Sequence, residues 1–172
     1  MSISVRVPLL TAAAAATAVL FAPVPAAAVP LGPHAGICEA GKPAALVRVN
    51  GFKSRTGLVT VKLYRSNASF LEKGAYIRKV EVPVNRSGPI DVCVPVPGNG
   101  DYALSVRHEV KGKKSSADGG GFSGNPSVSF LDVVLKRKPS LNKVTFTVDG
   151  SPRVVPVTLK YISGGSVRTA SS

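Results

Sequence analysis

Apolar side chains recur at every second position in short runs along this chain, and Gly, Pro or Asn closes almost every run. A period of two sends successive side chains to opposite faces of a strand, so each run offers one face for burial and one for solvent. The cleanest case is 57–64, with Val59, Val61 and Leu63 on one face and Thr60 and Lys62 on the other. Strands are likewise predicted at 46–49, 76–82, 89–94, 102–106, 127–134, 143–148 and 154–161. In the last of these, Val155, Val157, Leu159 and Tyr161 form the buried face. Turn signals separate the runs: Asn50-Gly51, Pro97-Gly98-Asn99-Gly100 and Asp149-Gly150. Seven or eight short strands with hardly any helix predict an all-β fold: a single antiparallel β-sandwich, immunoglobulin-like or prealbumin-like, with Greek-key connections.

Two stretches break the rhythm. Between 66 and 75, Ser69 followed by Glu72 fits a capping box and Gly74 a helix stop. This predicts one short helical turn, with Phe70 and Leu71 tucked against the sheet. From Lys111 to Asn125 the chain is dominated by Lys, Ser and Gly without an apolar pattern, which predicts a long surface loop.

The first 28 residues read as a different kind of segment. The amino terminus and Arg6 carry the only positive charges before an uncharged apolar stretch at 7–21, and small residues follow at Ala26 and Ala28. This predicts a cleavable secretory signal peptide cut between Ala28 and Val29. The stretch is shorter than the roughly 20 residues of a membrane span, and no later segment approaches that length. The chain therefore divides into a signal peptide at 1–28, an irregular arm at 29–44, a β-sandwich domain at 45–162 and a flexible polar tail at 163–172. The expected destination is the periplasm or the extracellular space, with no transmembrane segment after cleavage.

Export decides how the cysteines are read. Cys38 and Cys93 make an even count in an oxidising compartment, so a disulfide is predicted. It would pin the first strand to the strand that carries Cys93. Charge points the same way. Arg6 leaves with the signal, so 21 basic residues face 9 acidic ones, a net charge of +12. Lys111, Lys113 and Lys114 form one cluster and Lys136-Arg137-Lys138 another. Such a field draws a protein to an anionic envelope polymer or lipid surface. Lysines at strand ends and loop tips also keep a sheet soluble and its edges unpaired. A specific nucleic-acid partner is not expected, because export removes the target and no aromatics interleave the basic runs.

The residue inventory argues against an enzyme. Only His34 and His108 are histidines, the cysteines are spoken for, and nine carboxylates are scattered along the chain. No H-E-x-x-H, C-x-x-C or phosphate-binding glycine loop is present. Gly119 to Gly121 lack the Gly-Lys-Ser/Thr that a P-loop needs. No cofactor is expected. The one constellation with chemical potential is His108-Glu109 with Asp118, at the edge of the glycine-rich loop. It offers an alternative reading as a small-ligand or metal-binding module built on the loop from His108 to Pro126. A calcium loop alternates oxygen ligands, and here Lys111 and Lys113 stand at those places.

Several motifs in order resemble a bacterial exported family known as domain of unknown function 2141. Val47-Arg48-Val49-Asn50-Gly51-Phe52 and Gly57 to Tyr64 resemble its opening strands, Gly100 to Glu109 its Gly-x-Tyr … His-acid strand, and Gly121-Phe122-Ser123-Gly124-Asn125-Pro126 its Gly-Phe-x-x-Asn-Pro segment. The resemblance spans 45–161 and implies an envelope or secreted β-sandwich. Position by position it carries over His108, Glu109, Gly121, Phe122, Asn125 and Pro126. Phe122 and Pro126 are expected to dock the loop rather than touch a ligand. Many members follow the His-acid pair with an Asp/Asn-rich stretch suggestive of cation binding; this chain has lysines there. The expected protein is a non-catalytic, monomeric β-sandwich of the periplasm or exterior that binds an anionic envelope component.

Overall fold

The computed structural model describes residues 30–170, together with Met1. Apart from Met1, the predicted signal peptide and its expected cleavage site between Ala28 and Val29 lie outside the described residues. Among those residues there are ten strands in chain order: β1 (Ala44–Asn50), β2 (Leu58–Arg65), β3 (Arg78–Pro83), β4 (Ile90–Pro95), β5 (Gly100–Glu109), β6 (Gly119–Phe122), β7 (Phe146–Val148), β8 (Arg153–Thr158), β9 (Lys160–Ser163) and β10 (Ser166–Thr169). Two short helices, α1 (Ala35–Glu39) and α2 (Phe130–Val134), complete it. The fold is an all-β sandwich. Its smaller sheet has the order β4-β1-β8, and its larger sheet runs β10-β9-β6-β5-β2-β3, with β7 pairing the start of β5. Neighbours are antiparallel except β1 and β8, which run parallel. A parallel pair needs a crossover, and here β2 to β7 intervene in the chain between them.

The alternation read from the sequence is what fills the space between the sheets. Val59, Val61 and Leu63 of β2 meet Val47 and Val49 of β1, Ile90 and Val92 of β4, and Leu104 and Val106 of β5 in one cluster, all at most 3% exposed. The 154–161 run keeps its inward set, Val155, Val157, Leu159 and Tyr161, buried throughout. It is two strands rather than one. The backbone breaks at Leu159, whose amide donates to the Asn50 carbonyl (2.9 Å), and the chain passes from the smaller sheet to the larger. Strands that switch sheets in this way make the corners of sandwiches.

Cys38 and Cys93 are bonded. α1 brings Cys38 over the outer face of the smaller sheet, where β4 presents Cys93 opposite Leu46 of β1. The preceding arm begins as a bridge in which the Leu31 amide donates to the Asp91 carbonyl (2.7 Å). Beside it the Arg48 guanidinium grips the Asp91 carboxylate through Nε (2.9 Å) and Nη2 (2.7 Å).

Several local readings differ from what forms, among them the arm at 29–44, expected to be irregular, which carries α1. At 66–75 there is a run of turns and no helix: the Asn67 side chain accepts from the Ser69 amide (3.0 Å) and hydroxyl (2.6 Å). Ser69 is thereby taken, and Glu72 pairs with Lys138 instead of closing a capping box. Phe70 is buried as expected, edge-on to Tyr64. The strand predicted at 127–134 is α2, because Ser129 and Asp132 form a reciprocal capping box there. The loop predicted across 111–125 contains β6. The tail from 163 contains β10, hydrogen-bonded to β9.

Candidate ligand cleft

The strand β6 is Gly-Gly-Gly-Phe, a sequence with little intrinsic strand preference. It pairs because its neighbours occupy the room that side chains would need. A Cβ on Gly119 would lie 2.4 Å from the Tyr161 ring, and one on Gly121 would lie 2.6 Å from Val157 Cγ1. Gly120 faces the other way, and a Cβ there meets nothing closer than the Val106 carbonyl at 3.7 Å. The outer face of the larger sheet therefore has a hollow at Gly120.

That hollow is the floor of a cleft of about 630 Å3. Outward residues of four strands line it: Lys62 and Tyr64 from β2, Ser105 and Arg107 from β5, Phe122 from β6, Lys160 and Ile162 from β9. The 114–118 loop borders one side, and Val128 and Val133 from the α2 segment and Val167 from β10 border others. The volume falls within the range of about 300–1,000 Å3 usual for small-molecule sites.

The cleft holds two kinds of lining. Phe122, Val128, Val133, Ile162 and Val167 are apolar. Five cations, Lys62, Lys79, Arg107, Lys114 and Lys160, stand against two carboxylates, Glu109 and Asp118. Both carboxylates are tied to Arg107. Its Nε and Nη2 donate to Asp118 Oδ2 (3.1 and 2.8 Å), and Glu109 lies 3.8 Å away. Asp118 also accepts from the Ser115 amide (2.9 Å) and hydroxyl (2.7 Å). Burial alone pushes the Asp118 carboxyl up, but these Ser115 bonds and the Arg107 charge outweigh it and hold the group below its ordinary value. Among the described residues, Lys62, Lys114 and Lys160 have no carboxylate within ion-pair distance. Lys160 Nζ donates to the Pro126 carbonyl (3.0 Å), and Lys62 lies over the Tyr76 ring.

Of the residues singled out from the sequence, Glu109, Asp118, Phe122 and Asn125 do meet at this cleft. His108 does not. It alternates to the inner face of β5 and is fully buried. Its Nε2–H donates to the Thr56 carbonyl (2.8 Å), and its Nδ1 accepts from the Tyr161 hydroxyl (2.7 Å), which in turn accepts from the Lys53 amide (3.2 Å). Phe52 packs edge-on against the ring. Burial pushes the Tyr161 phenol up, keeping it a donor. His108 is thus a satisfied core group, and the triad of His108, Glu109 and Asp118 is divided between two faces of the sheet. Among the described residues no three His, Cys, Asp or Glu side chains gather closely enough to hold a metal ion. Asn125 has a positive φ of 49°, and its side chain spans to β8, accepting from the Thr158 amide (2.7 Å) and donating to the Pro156 carbonyl (3.1 Å). It anchors the rim. Phe122, expected only to dock the loop, packs edge-on to Phe70 and also faces the cleft.

Sequence reasoning missed Lys62, Lys160, Ile162 and Val167 as site residues. The signal available was their position opposite the buried set of each strand, but which outward faces are neighbours depends on strand order.

The described residues form a two-sheet β-sandwich with an open, part-apolar and part-cationic cleft on one outer face. Residues 47–155 match the family described as "Uncharacterized protein conserved in bacteria" (DUF2141), and the chain belongs to that family. No curated protein and no solved structure matches it.

Proposed function

We propose that this protein is an exported, non-catalytic β-sandwich that binds an anionic envelope component with an apolar part, in the cleft on the outer face of its larger sheet. The observation that carries the reading is the pairing of a valine, isoleucine and phenylalanine lining with Lys62, Lys114 and Lys160, cations with no carboxylate within ion-pair distance among the described residues. An acidic headgroup meets those lysines while its apolar portion covers the valines. The absence of catalysis is supported by how the polar groups in the cleft are used. Arg107 and Ser115 occupy Asp118, and the histidine nearest in sequence is turned into the core. Export is supported by the signal-like N-terminal sequence and by the Cys38–Cys93 bond. No helix among the described residues is long and apolar enough to cross a membrane.

The test compares dodecyl phosphate with dodecyl maltoside, two probes of equal chain length and different headgroup charge, by calorimetry. Dodecyl phosphate is expected to bind and the neutral probe to bind at least tenfold more weakly. Gly120→Leu, which projects a side chain into open cleft space, is expected to abolish binding without loss of stability. Equal affinity for both probes, or unaltered binding by the Gly120→Leu protein, defeats the reading.

A further inference from the structure

We propose that α2 and the basic triplet after it form a docking tip that seats the protein on an anionic lipid bilayer. Leu131, Val134 and Leu135 follow the i, i+3, i+4 spacing that puts side chains on one side of a helix. They are 62%, 56% and 56% exposed. Phe130 and Val133 are also exposed, so five of the six positions from 130 to 135 present large apolar side chains to water. Elsewhere on the described domain such residues occur singly or as the neighbours Tyr76 and Ile77. A contiguous apolar patch of this kind marks a contact surface.

Charge complementarity identifies the occupant. Lys136, Arg137 and Lys138 follow the apolar stripe directly, all exposed, with Lys143 a few residues beyond. The single acid of the segment, Asp132, caps Ser129, accepting from its amide (2.9 Å), and lies 3.7 Å from Arg137, while Lys136 has no carboxylate within ion-pair distance among the described residues. An apolar stripe edged by cations matches acyl chains lying beneath anionic headgroups. A second copy of the chain is a poor fit, because a twofold contact sets the same patch against itself and would bring two cationic triplets together. The tip is also held outward rather than left to fold back. Ser129 and Asp132 cap its start, Lys136 takes a left-handed turn (φ 52°) at its end, and Lys138 pairs with Glu72. The other side of the segment, at Val128 and Val133, borders the cleft.

The full exported chain is sedimented with vesicles of phosphatidylcholine alone and of phosphatidylcholine mixed with phosphatidylglycerol. It is expected to pellet with the mixed vesicles only, and to be released as salt rises. Replacing Leu131, Val134 and Leu135 together by Ser is expected to weaken binding roughly 100-fold, because a basic patch without an apolar anchor holds poorly. Replacing Lys136, Arg137 and Lys138 together by Gln is expected to do the same, at about fivefold per charge. Thermal melts check that both variants remain folded, as substitution of exposed side chains allows. Gly120→Leu, which fills the cleft, is expected to leave vesicle binding unchanged, so this proposal and the cleft reading fail separately. Equal pelleting with both vesicle types, pelleting with neither, or wild-type behaviour of either triple variant overturns the proposal. So does a wild-type dimer that the triple Ser variant disperses without any vesicle binding.

Discussion

The Tyr161 hydroxyl lies 2.7 Å from Nδ1 of His108 and bridges it to the backbone amide of Lys53. One phenol thus satisfies the buried His108 ring and a part-buried backbone amide, and its own ring supplies the surface on which Gly119 of β6 rests. Tyr161→Phe keeps the ring and removes only the bridge. It is expected to cost about 1–3 kcal/mol, the penalty for leaving buried polar groups unpaired, measured by urea unfolding. A change within a few tenths of a kcal/mol would mean that the network does not contribute as the geometry indicates.

The three glycines of β6 should respond differently to alanine. Gly119→Ala and Gly121→Ala force a methyl into the Tyr161 ring and against Val157. Each is expected to destabilise by about 1–3 kcal/mol, as overpacking does. Gly120→Ala, which points into open space, should stay within about 0.5 kcal/mol of wild type. Melting temperatures for the three variants give the order, and an unstable Gly120→Ala protein would contradict the assignment of faces.

Cys38 and Cys93 close a loop with a sequence separation of 55 residues. On the chain-entropy account a loop of that size contributes about 4 kcal/mol. The double Cys→Ala variant is expected to unfold at correspondingly lower denaturant, and wild type under reducing conditions should match it. Release should first expose α1 and the arm, because Cys38 is their covalent tie to the smaller sheet. Amide exchange that rises equally everywhere would argue against this local role.

Asp118 makes the loop beside the cleft sensitive to acid. Its folded-state pKa lies below the ordinary value, so its contribution is full above the unfolded pKa of about 3.9 and is lost as pH falls through the lower folded value. Stability measured against pH is expected to drop on acidification below about pH 4, and Asp118→Asn should flatten that part of the curve. Equal slopes in the two proteins would show that Arg107 and Ser115 do not hold the carboxylate as described.

Much of the fold was legible in the side-chain period. The inward sets of β2 and β8–β9 were readable because a strand's alternation survives whatever its neighbours are, even across the break at Leu159. The pairing of Cys38 with Cys93 was readable from their even number and the signal-like N-terminal sequence. Local chemistry was less decisive where two side chains competed for one group. Asn67 captured Ser69 from the cap expected with Glu72, whereas Ser129 and Asp132 made a cap in a run whose alternation read as a strand.

The sequence by itself determined that this is an all-β domain, with a buried and a solvent face to each strand, a strong positive charge and a family membership. It could not say that three glycines form a strand, since that depends on the Tyr161 ring and Val157 filling the space beside them. Nor could it separate His108 from Glu109 and Asp118 by role: adjacency in sequence joins what alternation sends to opposite faces. Only the tertiary structure decided that Lys62, Phe122 and Lys160 share one cleft, because strand order is set by long-range pairing rather than by any local run of residues.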